Sequence, residues 1–265
     1  NYKDREVEVK IISPLKTVEK NSEVASFECV LGTEKSTWKR IIRVFRQSRG
    51  IEVENIVDWN EKHVLAKAQF DCNVLTRKAV CDTSAGFVER ETHRNTTWQQ
   101  ARFEVCHHKW VDMAETDGGI ALINDSKYGV GLLENSMSLS LLRATIRPDV
   151  TSDLGHHEFA YMIYPHGDDF VKAEINNIAF EYNVPLGKAD LTCENSFGEL
   201  YMQTMKMSED GTMIVVRLSE QNGRRGKIKL DGKVKLLNFL EDVVDEVDAI
   251  EYKPFEIVTI GIKVK

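Results

Sequence analysis

The sequence predicts an all-β protein, a large antiparallel β-sandwich followed by a small C-terminal β-sandwich. Three observations carry this. Apolar residues recur at every second position through most of the chain, the alternating runs are bounded by Gly, Pro, Asn and Asp, and no long stretch carries the apolar period of an amphipathic helix. At 265 residues the chain is long enough for one large sandwich or two modules and for a sizeable core.

The elements follow in order. Val7, Val9 and Ile11 take one face of a first strand. Arg40 to Phe45 and Ile51 to Trp59 flank Gln47-Ser48-Arg49-Gly50, a hairpin in which Gly50 is expected to supply a positive φ. Val64 to Phe70, Phe103 to Lys109, Ile120 to Asn124, Met137 to Arg143 and Glu158 to Tyr164 are further strands, with Asn124 to Gly129 as a turn. After Pro165 and Pro185 the strands shorten and the turns sharpen, which divides a large sandwich over 1–184 from a small one over 185–265. Asp210-Gly211 and Asp231-Gly232 each read as a hairpin turn, the acidic stretch from Glu241 to Glu251 as solvated charge between strands, and Glu256 to Val264 as the last strand.

A formal net charge of −7 argues against nucleic acid as a partner, since that affinity comes from clustered Lys and Arg. No apolar run reaches the roughly 18–20 residues of a membrane span, and the start at Asn1-Tyr2-Lys3-Asp4-Arg5 has no apolar leader, so a soluble chain without membrane attachment is expected. The lack of an initiator Met fits a fragment or a processed piece. Five cysteines, Cys29, Cys72, Cys81, Cys106 and Cys193, show neither an even count nor metal-ligand spacing, so reduced thiols are expected. The pairs His107-His108 and His156-His157 point to opposite faces of a strand and cannot chelate by themselves; no metal is expected on this chain.

The most unusual segment runs from Gly86 to Trp98, charged yet bracketed by aromatics, and reads as a long functional loop. Glu89, Arg90, His93 and Asn95 offer the planar donors and acceptors that bind sugar hydroxyls, and Trp98 an apolar face for a pyranose ring. An ordered connection bonded to neighbouring backbone accounts for the same residues. In the strand that follows, alternation puts Arg102, Glu104, Cys106 and His108 on one face, where a structural Arg102–Glu104 pair or a cross-strand network is expected. Asp125, Lys127 and Tyr128 belong to the turn and join these structural candidates. Arg143 can reach a sugar hydroxyl or a neighbouring carboxylate. No segment designates the pair of carboxyls, about 5–5.5 Å apart, that retaining glycosidases use.

Taken together, Phe87-Val88-Glu89-Arg90, Thr92-His93-Arg94-Asn95-Thr96-Thr97-Trp98, Ala101-Arg102-Phe103-Glu104-Val105, His108-Lys109-Trp110 and Asn124-Asp125 with Lys127-Tyr128-Gly129 resemble the C-terminal region of α-mannosidases of glycoside hydrolase family thirty-eight. The likeness extends from Val57-Asp58-Trp59 to Arg217-Leu218-Ser219-Glu220 and Lys253-Pro254-Phe255-Glu256, and is nearest to the cytosolic and bacterial branch. It implies a cytoplasmic, retaining hydrolase of terminal α-linked mannose, acting on an α-mannoside or oligosaccharide. In it a catalytic barrel and helical domains lie upstream in the same polypeptide, and the large sandwich, galactose-mutarotase-like in fold, walls the sugar pocket. The nucleophilic Asp and the zinc ligands of the family have no counterpart here, so zinc belongs to the parent enzyme and this portion is expected to be inactive alone. Glu91 stands where relatives often carry Pro. Two other readings remain: a stand-alone carbohydrate-binding module stacking sugars on Trp98, Trp110 or Tyr128, and a mutarotase-like isomerase using His93, His108 or His157 with a Glu.

Overall fold

The computed structural model of the protein describes residues 6–184, 187 and 196–264. Proximity along the backbone divides the chain into two compact units, Asn1–Asp82 with Glu89–Pro185, and Thr83–Val88 with Leu186–Lys265. Asn1 to Arg5, Pro185 at the expected division, and Cys193 lie outside the described residues.

The first unit contains β1 (Lys10–Lys20), β2 (Val24–Gly32), β3 (Thr37–Phe45), β4 (Ile51–Trp59), β5 (Ala66–Asp71), β6 (Lys78–Thr83), β7 (Gly86–Glu91), helix α1 (Thr97–Ala101), β8 (Val105–Cys106), β9 (Trp110–Ala114), β10 (Gly119–Asn124), β11 (Gly129–Leu133), β12 (Ser136–Leu142), β13 (Gly155–His166) and helix α2 (Ile175–Asn183). The tips of β6 and β7 are counted with the second unit. Nine strands form one sheet in the order β1-β2-β3-β4-β13-β10-β9-β6-β7, and four form another in the order β5-β12-β11-β8. The ladders are antiparallel.

Alternation explains the facing surfaces. In β4, Val53, Asn55, Val57 and Trp59 are buried while their neighbours are not, and in β12 Met137 and Leu139 do the same before Leu141 and Leu142 are both buried. Phe70 of β5 meets Tyr161 of β13 edge-on, ring centres 5.7 Å apart, so the two sheets pack as a sandwich. Each such enclosed side chain contributes about 1.5–3 kcal/mol. Alternation fails in β9 and β10, where Trp110 to Met113 and Ala121 to Asn124 are all buried. The cause is α2, which covers the other face: Trp110 Nε1 donates to Asn176 Oδ1 at 2.8 Å, and the indole lies 5.1 Å from the Phe170 ring.

The second unit contains β14 (Tyr201–Met207), β15 (Met213–Ser219), β16 (Gly226–Leu237), β17 (Val243–Tyr252) and β18 (Ile257–Lys263), hydrogen-bonded in the order β14-β15-β18-β16-β17. Its core joins Val216 and Leu218 of β15, Leu230 and Val234 of β16, Ile250 of β17 and Ile260 of β18. Phe87 packs within this unit against Phe255, 5.3 Å between ring centres.

Several expectations are corrected. The segment from Gly86 to Trp98 is not one loop: its first six residues form β7, and Trp98 lies in α1. The strand expected over Phe103 to Lys109 shrinks to Val105–Cys106, because the chain is coiling out of α1, so the face shared by Arg102, Glu104 and His108 does not form. Asp231-Gly232 is not a hairpin. The strand runs through it as β16 with a break in register between Lys229 and Val234, which Gly232 accommodates at φ 105. The acidic stretch is strand β17 rather than a connection, and Lys227 of β16 pairs with Glu251 at 2.8 Å. Gly50 does not take a positive φ; a Cβ there would meet Met162 Sδ at 2.4 Å, so close approach is what requires glycine. Val9 and Ile11 face solvent on the edge beside or within β1.

Candidate functional site

A cleft of about 300 Å³ opens in the first unit between β7, the start of α1 and the chain leading to β8. Glu89, Arg90, His93 and Arg102 line it, joined by Lys78, Glu91, Arg94 and Gln99. Residues from β6 and β7 reach it because the strands are adjacent in the sheet. Those after Glu91 reach it because α1 turns the chain back. Thr96 caps that helix: Gln99 N–H donates to Thr96 Oγ1 at 3.2 Å, and Gln99 Oε1 accepts the Thr96 and Asn95 amides at 2.9 and 2.7 Å. The same glutamine donates through Nε2 to Glu91 at 2.8 Å, tying the helix to the end of β7.

The charges in the cleft are unevenly matched. Glu89 pairs with Lys78. Burial pushes the nearby Cys81 thiol up to about 12 against the pull of the Arg90 guanidinium. Arg94 Nη2 donates to the Phe103 carbonyl at 3.3 Å. Arg90 Nε, Arg94 Nε and His93 Nδ1 are enclosed without a hydrogen-bond partner. Such groups cost free energy unless something outside the described residues engages them.

Other sequence candidates stand apart from this cleft. Asn95 and Trp98 are exposed, the indole at 78 %, and neither lines it. Arg143 does not line it either: its amide and that of Ala144 donate to Asp153 Oδ2 at 2.8 and 2.9 Å, which anchors the chain after β12. Glu104 pairs not with Arg102 but across strands with Lys67 at 2.7 Å and with the Ser140 hydroxyl. Burial would raise the Glu104 carboxyl, but these partners hold it below its ordinary value. Arg102 is thus a cleft residue and not a member of that network.

The turn candidates are structural. Asp125 accepts the Ala160 amide at 2.7 Å, which ties the turn to β13. Lys127 Nζ sits 4.3 Å from the centre of the Phe159 ring, and burial lowers its pKa. The Tyr128 ring stands edge-on to His108 at 6.2 Å. Trp110 is fully buried and offers no stacking platform. His157 Nε2 bonds the Asp153 carbonyl oxygen at 2.9 Å.

Lys78, Glu91, Arg94 and Gln99, with the apolar Val105 and Leu132, are the cleft residues that sequence reasoning missed. Thr96-Thr97-Trp98-Gln99 carries the spacing of a capping box and signalled Gln99. Lys78 is brought by strand pairing, for which the sequence holds no local sign. Among the described residues no group of three or more His, Cys, Asp or Glu is placed to hold a metal ion, and no helix is long and apolar enough to cross a membrane.

Comparison with known proteins adds the family. Residues 1–151 match the glycosyl hydrolases family 38 C-terminal domain, and residues 199–260 match the C-terminal beta sandwich domain of the same family. Alpha-mannosidase G of Dictyostelium discoideum is 36 % identical over 246 residues, covering 83 % of this chain and 22 % of that protein. Alpha-mannosidase 2C1 of Homo sapiens is 37 % identical over 180 residues, 63 % of this chain and 17 % of the relative. The alpha-mannosidase of Saccharomyces cerevisiae is 32 % identical over 227 residues, 77 % of this chain and 20 % of the relative. The chain therefore spans about a fifth of the length of these relatives. In fold it is similar to an alpha-mannosidase from Enterococcus faecalis V583, with a TM-score of 0.81 at 15 % identity over 96 % of this chain and 35 % of the other. With its larger part matched by one domain description and its tail by the companion one, the chain belongs to the C-terminal region of glycosyl hydrolase family 38.

Proposed function

We propose that this chain is the C-terminal, non-nucleophile part of a retaining α-mannosidase that hydrolyses terminal α-linked mannose, and that its cleft walls the sugar pocket. The observation that carries this reading is the convergence of Glu89, Arg90, His93 and Arg102 in one cleft within the residues that match the family. Carboxylates, guanidinium groups and an imidazole are the groups that grip sugar hydroxyls with directional hydrogen bonds. Neither acid of the cleft stands free for acid–base work: Glu89 is held by Lys78 and Glu91 by Gln99. That supports a nucleophile supplied by an upstream barrel of the same polypeptide, packed with helical domains against this portion.

The parent enzyme carries zinc, held by residues outside this chain. The described residues bring no group of three or more His, Cys, Asp or Glu together, so the ligands are assigned to the upstream part. Among the described residues, Cys29, Cys72, Cys81 and Cys106 are free of disulfides, a state that a reducing compartment preserves, which supports the cytoplasm as the site of action. The large sandwich is assigned to 1–184 and the small one to 185–265. Family membership favours the mannosidase over a separate binding module or an isomerase.

The test is hydrolysis of a chromogenic α-mannoside, with zinc supplied, by these 265 residues and by the chain extended through its upstream domains. Activity in the extended chain alone is expected. Metal-dependent turnover by the short chain would overturn the assignment of the nucleophile upstream.

A further inference from the structure

Among the described residues, three guanidinium groups in the cleft have no carboxylate partner. Lys78, Arg90, Arg94 and Arg102 line it with only Glu89 and Glu91, although the chain as a whole carries a formal charge of −7. Lys78 is neutralised by Glu89, and Glu91 receives the Gln99 amide. Among the described residues, Arg90 reaches a thiol, Arg94 a backbone carbonyl, and the Arg102 side chain no acidic group. The local excess of positive charge is therefore opposite in sign to the whole chain.

Arg90 and Arg94 are half-buried and line the cleft, so counter-charge for them can come from a ligand held there. Sugar hydroxyls supply acceptors but no charge. A tetrahedral oxyanion supplies both, and its oxygens match the planar forks of several arginines at once. A volume near 300 Å³ lies at the lower end of small-ligand sites and suits one substituted monosaccharide rather than a long chain.

We infer that the cleft takes a phosphate monoester carried on a sugar, with its anionic oxygens among Arg90, Arg94 and Arg102 and its hydroxyls towards Glu89, Glu91 and His93. The sugar half of this inference rests on the proposed function; the anion half rests on charge alone.

Calorimetric titration of the full-length protein at constant ionic strength tests it, with mannose 6-phosphate, inorganic phosphate and mannose as probes. The sugar phosphate is expected to bind more tightly than either other probe. Its affinity should fall about tenfold or more in Arg102→Gln and in Arg94→Gln, a loss of about 1.4 kcal/mol each, and should weaken as salt is raised. Arg102 is exposed, so its variant folds, and thermal melting verifies this for both. Lys229→Gln, an equal change of charge in the second unit, should leave binding unchanged. Absence of sugar-phosphate binding, or binding equal in the arginine variants and the parent, overturns the proposal. Inorganic phosphate binding as tightly as the ester overturns its sugar half. Hydrolysis of a neutral α-mannoside on the same preparations separates the two readings: hydrolysis without ester binding discards the anion site alone, and ester binding without hydrolysis discards the mannosidase reading alone.

Discussion

Glu220 holds Phe255 in a left-handed backbone conformation. The carboxylate is 1 % exposed and accepts the Phe255 amide at 2.9 Å, while Phe255 has φ 61. It also accepts the amides of Asn222 and Gly223 at 2.7 and 3.0 Å, so one side chain fixes two turns of the second unit. Left-handed geometry is strained for a bulky residue and persists where its surroundings enforce it. Glu220→Ala strips three backbone amides of their acceptor and is expected to destabilise this unit by about 1–3 kcal/mol. Glu220→Gln keeps an acceptor and should lose less. Hydrogen exchange at the β15 and β18 amides measures both.

His107 makes the first unit sensitive to acid. Its ring is fully buried, Nδ1 donates to the His108 carbonyl at 2.9 Å, and Nε2 has no partner. Burial pushes its pKa down to about 4, so the folded ring is neutral at neutral pH. The unfolded chain takes up a proton below about 6.5 and the folded one does not, so stability present above that pH falls as pH drops and levels off below about 4. The contribution is on the order of 3 kcal/mol. His107→Gln, which cannot titrate, should flatten urea-unfolding midpoints between about pH 7 and about pH 4. Asn124 Nδ2 still serves the His108 carbonyl at 2.8 Å in that variant.

The parts of the structure that were legible in the sequence are those where one face of a strand is wet. Val53, Asn55, Val57 and Trp59 announce β4, and Asp210-Gly211 announces the turn from β14 to β15, with Gly211 at φ 71. The pattern was silent where both faces are covered, as in β9 beneath α2, and where the inward stripe is narrow, as in α2 itself with only Ile175, Asn176 and Ala179 buried. In the candidate site, Glu89, Arg90 and His93 were legible because unusual chemistry is concentrated in one segment. Arg143 lies apart from that cleft, and its exposed position after β12 looks the same in sequence whether it borders a cleft or a turn held by Asp153.

The buried contact between His166 and Asp112 carries a pH dependence of opposite sign. Nε2 lies 2.7 Å from Asp112 Oδ1, and the two side chains are 2 % and 1 % exposed. Burial by itself would lower the imidazole pKa, but the hydrogen bond and charge of Asp112 raise it above its ordinary 6.5. The stabilisation is therefore fully present below about 6.5 and is lost as pH rises through the raised folded value. Asp112→Asn leaves a buried cation without its counter-charge and should cost about 3–5 kcal/mol at mildly acidic pH. The gap to the parent protein should narrow as pH rises. NMR titration of His166 in the variant should show its pKa falling.

His93 and Arg143 separate the cleft from the surface around it. His93 lines the cleft with an enclosed, unpartnered Nδ1, whereas Arg143 lies after β12 and does not line it. If His93 grips a sugar hydroxyl in both ground and transition states, His93→Ala removes one hydrogen bond, worth about 1–1.5 kcal/mol. KM for a simple α-mannoside should then rise about tenfold with kcat within about twofold, since the lost interaction is uniform along the reaction. Arg143→Ala should change both constants by less than about twofold. Steady-state kinetics of the full-length protein reads the split. A fall in kcat at unchanged KM would instead mean that His93 meets the substrate only in the transition state, and would move it from the wall of the pocket to the reacting atoms.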